Sequence, residues 1–459
     1  MRIMIATLWI VCAFFPVNSW GQAEFRLNLE RETRPELQVA VVAFELNGSS
    51  TSVAEHAVLA HRVLENDLKI SGFFRPIDSN RFAALDKAER GLDVVDYQAW
   101  RQSGAQWLVK TKIESDDAEG IVTLSFRVFD VESGMFVLGK MYRASDFFLR
   151  RMAHRFADEM VLQLTGKRGV ADSRIVYLKE TRKKKVTRGG EEGIIPIKEV
   201  FAIDFDSHNE QQLTHDETIN LSPSWAPDGK WISYTTYYKN NPNLVMINTA
   251  GKRVRKILRE SPGLNSTATW SPDGKRIAMT LSKDENSEIY ILTDEFKEKR
   301  LTANFNIDTS PDWSPDGKSI VFTSDRSGAA RPQVYVMSAD KGEKGGLEKI
   351  STGSNYNDDP AWSPDGDHIA YSSMVGEHMQ IKVYDMATRT TRQLTSGNAD
   401  NQDPSWSPDG RYLAYTKVRG GSSQIYARRL LGEDERRVTP EVAGGTGRYS
   451  APAWSPFPR

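Results

Sequence analysis

Cysteine is almost missing from this chain of 459 residues, which contains only Cys12. No disulfide can form within the chain, so its stability must come from a packed core, which a chain of this length can supply. An excess of charge of one sign is missing too, because 60 lysines and arginines stand against 61 aspartates and glutamates. This balance gives no indication of binding to nucleic acid or to an anionic membrane surface.

Long apolar runs are confined to the N-terminus. Arg2 is followed by an uncharged, mostly apolar run, and the small residues Gly21 and Ala23 precede a cleavage site after Ala23. This pattern predicts a secretory signal peptide over residues 1–23. After residue 23 no apolar run is long enough to span a bilayer. We therefore expect a cleaved protein of the periplasm or the medium, without Cys12 and without direct membrane insertion.

Motifs for catalysis and metal binding are missing as well. The sequence has no G-x-S-x-G nucleophile elbow, and the stretch before the repeats described below is too short for an α/β-hydrolase domain. The seven histidines show no H-E-x-x-H or other metal-ligand spacing. We expect no enzymatic activity, no cofactor and no metal.

One repeated phrase dominates the second part of the chain. Its tryptophans lie 45, 43, 49, 44 and 48 residues apart, at Trp225, Trp270, Trp313, Trp362, Trp406 and Trp454. This period is typical of propeller blades made of four antiparallel strands. The first five tryptophans are each followed by S-P-D-G or A-P-D-G, a turn in which glycine takes positive φ. We interpret the turn aspartates as turn formers rather than catalytic acids: Asp228, Asp273, Asp316, Asp365 and Asp409.

The repeat is incomplete at both ends of the propeller segment. Residues 174–178, 199–205 and 211–214 resemble the second, third and fourth strands of a blade, but no tryptophan phrase precedes them. The missing first strand is the phrase P-A-W-S-P at residues 452–456. We predict a six-bladed propeller over residues 172–459, in which one blade is shared between both ends and leaves no long free edge.

Residues 24–166 contain no repeat and alternate between strand and helix periodicities. The apolar run at 37–44 predicts a buried strand, and residues 53–68 and 147–164 carry apolar side chains at helical spacing. We expect an N-terminal mixed α/β domain there, and hence an α+β two-domain protein. The basic run Arg182–Lys185, with Arg188 after it, could contact anions, but we interpret it as a loop between strands of the first blade.

A polar position recurs five residues before each tryptophan. It is occupied by Asn220, Asn265, Asp308, Asn357 and Asn401, with Tyr449 in the sixth unit. Because the position begins each innermost strand, we expect these side chains, with Thr267 and Thr309, to ring the channel mouth opposite the S-P-D-G turns. Such a ring could bind a polypeptide partner. Asn and Asp also stabilise turns by bonding their own backbone, and this alternative stays open.

The segment EFRLNLERETRP at residues 24–35 alternates apolar and polar side chains. The apolar residues are Phe25, Leu27 and Leu29, and the polar ones include Glu24, Arg26 and Asn28. A segment of this kind can add as a strand to the sheet edge of a partner. The alternative is an edge strand of the protein's own α/β domain.

The signal peptide, the small α/β domain and the W-S-P-D-G units ending in P-A-W-S-P together resemble the TolB family over nearly the whole chain. The resemblance implies a non-enzymatic periplasmic component of the Tol–Pal system, which supports outer-membrane integrity and constriction at division. It implies that the propeller binds the lipoprotein Pal, that residues 24–35 bind TolA, and that the protein is a monomer in complex with these partners. The alternatives are a propeller module of a peptidase-like enzyme and a carbohydrate-binding propeller.

Overall fold

The computed structural model describes residues 36–47, 51–89, 91–116, 119–188, 191–238, 242–249, 255–259, 263, 265–284, 286–294, 297–328, 331–441 and 447–458. The predicted signal peptide and the segment at 24–35 lie outside the described residues. The chain divides into two compact units, the first ending at Asp172 and the second beginning at Ser173. In the described ranges, no helix combines the length and the apolar character needed to cross a membrane.

A mixed sheet forms the centre of the first unit. Its strands are β1 (Leu37–Val41), β2 (Glu45–Asn47), β3 (Phe74–Pro76), β4 (Trp107–Asp116), β5 (Ile121–Asp130) and β6 (Met135–Ser145). The order is β3-β1-β4-β5-β6, and β2 also pairs with β4. β1 runs parallel to β3 and β4, whereas β4, β5 and β6 form an antiparallel meander. The mixed α/β character expected from the alternating periodicities is therefore confirmed.

Two long helices cover one face of this sheet. The helices are α1 (Thr51–Ile70), α2 (Ala83–Ala88), α3 (Tyr97–Ser103) and α4 (Leu149–Thr165), with short 3-10 turns at Ser79–Arg81 and Asp146–Phe148. The amphipathic helix α4 stacks Phe156 on Phe126 of β5, with 4.0 Å between ring centroids, and both side chains are fully buried. α4 ends at Gly166, whose φ of 71° is a conformation that glycine adopts without strain.

Six four-stranded antiparallel sheets form the second unit, which confirms the expected six-bladed propeller. The first blade contains β7 (Arg174–Arg188), β8 (Glu191–Asp204) and β9 (Gln211–Gln212). The second to sixth blades contain, in chain order, β10 (Asn220–Trp225), β11 (Trp231–Thr236), β12 (Asn243–Asn248), β13 (Arg255–Arg259), β14 (Asn265–Trp270), β15 (Arg276–Asp284), β16 (Asn286–Thr293), β17 (Glu298–Arg300), β18 (Asp308–Trp313), β19 (Ser319–Ser324), β20 (Gln333–Ser338), β21 (Gly342–Lys349), β22 (Asn357–Trp362), β23 (His368–Val375), β24 (His378–Asp385), β25 (Thr391–Gln393), β26 (Asp400–Trp406), β27 (Tyr412–Arg419), β28 (Ser422–Arg429) and β29 (Glu435–Arg437).

The last strand of the chain, β30 (Tyr449–Trp454), supplies the innermost strand of the first blade. It pairs antiparallel with β7, placing Tyr449 opposite Lys179 and Trp454 opposite Ile175. The Trp454 side chain is buried, and its indole Nε1 donates to Ser173 Oγ at 2.9 Å. The two ends of the propeller segment therefore meet within one sheet.

Tryptophans at the ends of the inner strands tie neighbouring blades together. Trp225 Nε1 donates to the Ala453 carbonyl at 3.1 Å, and Trp406 Nε1 donates to the Ala361 carbonyl at 3.0 Å. In both cases the acceptor directly precedes the tryptophan of the adjoining blade. Trp362 differs, because its Nε1 donates to the Gly366 carbonyl of its own turn at 3.2 Å. The polar atom of the ring is paired in each of these cases, as a buried indole requires.

The S-P-D-G turns are held by their own side chains. Asp273 Oδ1 accepts the Ser271 hydroxyl at 2.6 Å and the Lys275 backbone N–H at 3.0 Å, and these bonds lower the pKa of Asp273. The other four turn aspartates likewise accept the backbone N–H two residues on. The predicted turn-forming role of these residues is confirmed. The side of the propeller that holds these turns is named the turn face, and the opposite side, where the inner strands begin, the start face.

Deleting residues 449–459 should open the ring and lower the melting temperature sharply. The deletion removes all of β30, including Trp454, whose ring lies 4.6 Å from that of Phe205. Truncating one buried tryptophan to alanine typically costs about 3–5 kcal/mol, and the pairing of β30 with β7 is lost as well. Thermal unfolding of the mature and truncated proteins would test this. Melting temperatures within a degree or two of each other would contradict the role of β30 in stability.

Candidate partner-binding surface of the propeller

The six residues expected to ring the channel mouth are buried. Each side chain is at most 1% exposed: Asn220, Asn265, Asp308, Asn357, Asn401 and Tyr449. The expectation that they present a polar ring to solvent is therefore wrong. The predicted position at the beginning of each inner strand is right, but at that position the side chain turns into the blade.

The asparagines are buried because they join each inner strand to the outer strands of the preceding blade. Asn357 Nδ2 donates to Gln333 Oε1 at 3.1 Å, and Ser351 Oγ donates to the same oxygen at 2.9 Å. Ser351 Oγ in turn accepts the Val334 backbone N–H at 2.9 Å. Buried polar groups are stable when paired in this way, so the asparagine and the hydroxyl of the Q-L-T-like phrase form one structural unit.

The same unit recurs in other blades. Asn401 Nδ2 and Thr395 Oγ1 both donate to Gln380 Oε1, at 3.0 and 2.8 Å. In the blade that β30 completes, the acceptor is a carboxylate, and Asn220 Nδ2 donates to Glu199 Oε2 at 3.2 Å. The hydrogen bonds thus support the open alternative of a structural role for these residues. The side chains also bond the local backbone, because Asn265, Asn357 and Asn401 donate to the carbonyls of Gly263, Ser354 and Ala399 at 3.1 to 3.2 Å.

Asp308 occupies the position that is asparagine in four other blades, and it forms an ion pair with Arg326. Its Oδ2 accepts from Arg326 Nη2 at 2.7 Å and from Asn304 Nδ2 at 2.9 Å. Burial raises the pKa of Asp308, and these donors act in the opposite direction. The side chain therefore serves the interior of its blade and is not available to a partner.

One residue of each blade, three positions before the tryptophan, lines the channel. Of these six residues, only Thr267 was predicted from the sequence to lie there. All have φ between 47° and 56°: Ser222, Thr267, Ser310, Asp359, Asp403 and Ala451. At each of them the pairing register shifts, which marks a β-bulge. A bulge re-aims a side chain and often lies beside a functional site. The fixed offset from tryptophan is the signal that could have found this set.

The bulges surround a cavity of about 560 Å³ at the centre of the propeller. Its wall also contains the prolines and tryptophans of the inner strands, and it extends to the prolines of the turns. Thr267 contributes to this wall, and its Oγ1 lies 2.7 Å from Thr280 Oγ1. Thr309 is half-buried in its strand opposite Thr323 and is not among the residues that line the cavity. Of the eight residues predicted for the mouth, Thr267 alone lines the channel cavity.

Three carboxyl groups on one side of the channel have a pKa above the ordinary value of 3.8: Asp312, Asp359 and Asp403. Burial raises the pKa of Asp312 to about 6, although its Oδ2 accepts the Trp362 backbone N–H at 2.8 Å. Burial also raises the pKa of Asp359 and of Asp403, and the negative charges of Asp358 and of Asp403 raise that of Asp359 further. Neighbouring carboxyl groups that cannot both ionise at low cost retain a proton between them.

Donors fix these carboxyl groups in place. Asp359 Oδ1 accepts the Ser310 hydroxyl at 3.0 Å. Asp403 Oδ2 accepts the Thr416 hydroxyl at 2.8 Å and the Ala451 backbone N–H at 3.1 Å. The acidic wall is therefore held by four different blades, including the one that β30 completes.

Exposed apolar side chains lie on the start face, next to the buried polar positions. Phe305 is fully exposed, Ile307 is 53% exposed and Tyr356 is 39% exposed. Ile307 and Tyr356 directly precede Asp308 and Asn357, and side chains alternate along a strand, so the residue before a buried one points outward. Met374, whose backbone N–H donates to the Tyr356 carbonyl, is also exposed. These four residues are named the start-face patch.

The variant Asp359→Asn should gain stability relative to the wild type as pH rises. The raised pKa means that the folded protein binds this proton more tightly than the unfolded chain, for which 3.8 is the ordinary value. Stability that depends on the proton is therefore present below 3.8 and lost as pH rises through the folded pKa. The melting temperature of Asp359→Asn minus that of the wild type should therefore grow as pH rises above 3.8.

A control with the opposite sign is available in a turn. The Ser314 hydroxyl and the Lys318 N–H lower the pKa of Asp316, so its contribution is present above 3.8 and lost on acidification. Asp316→Asn should therefore be less stable than the wild type near neutral pH, with the difference shrinking towards pH 3. Parallel curves for Asp359→Asn and the wild type at every pH would show that Asp359 does not retain its proton.

Comparison with known proteins agrees with this architecture. Residues 161–458 match the TolB beta propeller domain, and residues 25–136 match the TolB amino-terminal domain. The Tol-Pal system protein TolB of Bordetella parapertussis is 31% identical over 328 residues, which are 70% of this chain and 67% of that protein. The crystal structure of TolB from Acinetobacter baumannii has a TM-score of 0.76 at 24% identity, covers 92% and 97% of the two chains, and shows the same fold.

Two other relatives match over a smaller share of their length. The Tol-Pal system protein TolB of Desulfosudis oleivorans is 32% identical over 295 residues, 64% of this chain and 62% of that protein. The protein of the same name from Paramagnetospirillum magneticum is 33% identical over 248 residues, 53% of this chain and 51% of that protein. The matched region thus spans about half to two thirds of these two relatives. Because the propeller match alone covers more than half of the chain, this protein belongs to the TolB family.

Proposed function

We propose that this protein is a non-enzymatic periplasmic scaffold of the Tol–Pal system. In this proposal the start face of the propeller binds the lipoprotein Pal, and residues 24–35 bind TolA, so that one protein connects two partners during outer-membrane constriction. Membership of the TolB family and relatives named as Tol-Pal system proteins support it. The signal peptide predicted at residues 1–23 supports export to the periplasm.

The observation that carries the Pal-binding part is the start-face patch. Phe305, Ile307, Tyr356 and Met374 expose apolar surface in two neighbouring blades. Exposed aromatic side chains on a rigid surface are frequent hot spots of protein interfaces, because they bury a large area at small entropic cost. An exposed apolar patch that no partner covers is a site of aggregation.

The buried polar residues then act as supports for this surface. Asn357 fixes the beginning of β22 through Gln333, and Asp308 fixes the beginning of β18 through Arg326. The exposed side chains directly before them, Tyr356 and Ile307, are consequently held in defined positions. Pre-ordered contact residues lose less conformational entropy on binding, which favours affinity.

Replacing Phe305 and Tyr356 together with alanine should weaken Pal binding by at least about 2 kcal/mol, because truncating a hot-spot aromatic removes its buried contact area. Exposed substitutions of this kind usually change folding stability by less than about 0.5 kcal/mol. Calorimetric titration with purified Pal and thermal unfolding would measure the two effects. Leu431→Ala, at an exposed apolar residue between β28 and β29 on the turn face, is the matched control and should bind Pal normally.

The double variant Asn265→Ala/Asp308→Ala distinguishes a structural role of these residues inside the blade from direct contact with Pal. Both side chains are buried, so the melting temperature should fall while the remaining folded protein keeps most of its Pal affinity. The reverse result, normal stability with strongly reduced affinity for Pal, would show that these residues contact Pal directly.

For the Phe305→Ala/Tyr356→Ala variant, normal Pal binding would show that the start-face patch is not part of the interface.

Deleting residues 24–32 should abolish TolA binding and leave the propeller folded. The reason is the alternation of Phe25, Leu27 and Leu29 with polar residues, which suits addition of a strand to the sheet edge of a partner. Calorimetry with purified TolA would measure the loss, and unchanged Pal affinity would show that the rest of the protein is intact. TolA affinity equal to that of the full mature chain would remove this segment from the mechanism.

A further inference from the structure

The first blade contains a hairpin that is much longer than its equivalents. Strands β7 and β8 have 15 and 14 residues, whereas the second and third strands of the other blades have 6 to 9. The C-terminal segment accompanies β7 as far as Glu180, whose N–H donates to the Arg448 carbonyl, but the pairing of β7 with β8 continues from Arg182–Ile197 to Arg188–Glu191. These seven further pairs project roughly 20 Å at about 3.3 Å per residue.

The hairpin projects on the start face. Tyr449 begins β30 on that face and pairs with Lys179, and the extra pairs follow Lys179 in the same direction along β7. The interpretation of the basic run Arg182–Lys185 as a loop is therefore wrong, because these residues lie in strand β7. Its residues extend past the inner strand of the blade, at the side of the propeller that carries the start-face patch.

Among the described charged side chains of this projection, four are cations and one, the exposed Glu192, is an anion. Arg182, Lys183, Lys184 and Lys185 are all exposed. Arg182 forms an ion pair with Glu217 at 2.6 Å, whereas the three lysines have no ion pair with any residue of the described ranges. The near-neutral charge of the whole chain thus conceals a local surplus of positive charge on one protruding element.

An exposed apolar side chain lies among these cations. Ile194 is 66% exposed and is the cross-strand partner of Lys185, and Pro196 is the partner of Lys183. Cross-strand partners share one face of a hairpin, so this face combines two ammonium groups with an isoleucine and a proline. Lysines attract anionic lipid headgroups, and an exposed apolar side chain can enter the headgroup region, so this face has both components of binding at a lipid–water interface.

We propose that the β7–β8 hairpin binds the surface of a bilayer that contains anionic phospholipids. The lysine ammonium groups contact lipid phosphates, and Ile194 enters the headgroup region. A fluid array of phosphates needs no shape complementarity, which suits a narrow two-stranded hairpin. A polyanionic polymer would satisfy the lysines but offer no apolar surroundings to Ile194, and an acidic protein would have to match the shape of the narrow hairpin. The contact is peripheral and is compatible with the absence of a spanning helix from the described residues.

The test is co-sedimentation of the mature chain with vesicles of phosphatidylethanolamine and phosphatidylglycerol, and with vesicles of phosphatidylcholine alone. We expect binding to the anionic vesicles that weakens with added salt, because ions screen exposed charges. Each lysine near an anionic surface contributes roughly a fivefold factor in partitioning, so Lys183→Gln/Lys184→Gln/Lys185→Gln should reduce it on the order of 100-fold. Ile194→Ser should reduce the binding that remains at high salt, because the apolar contribution of Ile194 is not screened by ions.

The matched control is Lys230→Gln/Lys275→Gln/Lys318→Gln. It removes the same charge from three exposed lysines on the turn face, and it should bind anionic vesicles as the wild type does. Thermal unfolding of each variant verifies that the fold is intact. The proposal is overturned if the wild type does not bind anionic vesicles, if the two triple variants lose binding equally, or if the protein sediments with isolated peptidoglycan but not with vesicles.

Discussion

The pairing of β30 with β7 is the constraint on which the rest of the propeller depends. It fixes the last inner strand in the ring, and that strand supplies the Ala453 carbonyl to Trp225 and the Ala451 N–H to Asp403. Without it the channel wall would lack one of its six bulges, and one of the acids would lose a donor. The geometry of the channel is therefore a property of the closed ring and not of a single blade.

Closure also explains how the inner strands tolerate strain. A non-glycine residue with φ near 50° is unfavourable, and five of the six bulge residues precede proline, which disfavours helical backbone angles at that position. Such conformations persist where the surrounding structure over-determines them. Here each bulged strand pairs with the second strand of its own blade on both sides of the bulge. Three of the bulged strands also accept the indole N–H of a neighbouring blade two residues after the bulge, at Thr269, Ala361 and Ala453.

The sequence predicted the blades well because their signals are local. The tryptophan period, the S-P-D-G turns and the split first blade all follow from residue order and turn chemistry. The burial of Asn357 could not be predicted in this way, because its partner Gln333 lies in the preceding blade, 24 residues away. Counting positions located the beginning of each inner strand, but it did not reveal the bulge two residues later, which shifts the pairing register of the strand. For the same reason Tyr356, one residue earlier, was missed as a surface residue.

The basic run of the first blade shows a second limit of sequence interpretation. Charge favoured a loop, yet Lys183 and Lys185 alternate with Lys184 along a strand whose partner contains Ile194 and Ile195. Pairing with a β-branched strand outweighs the low strand propensity of lysine, since propensity depends on cross-strand neighbours. The start face therefore combines two surfaces of different chemistry, an apolar patch over the blades of β18 and β22 and a cationic hairpin at the first blade. Because both are built on one closed ring, their separation is fixed.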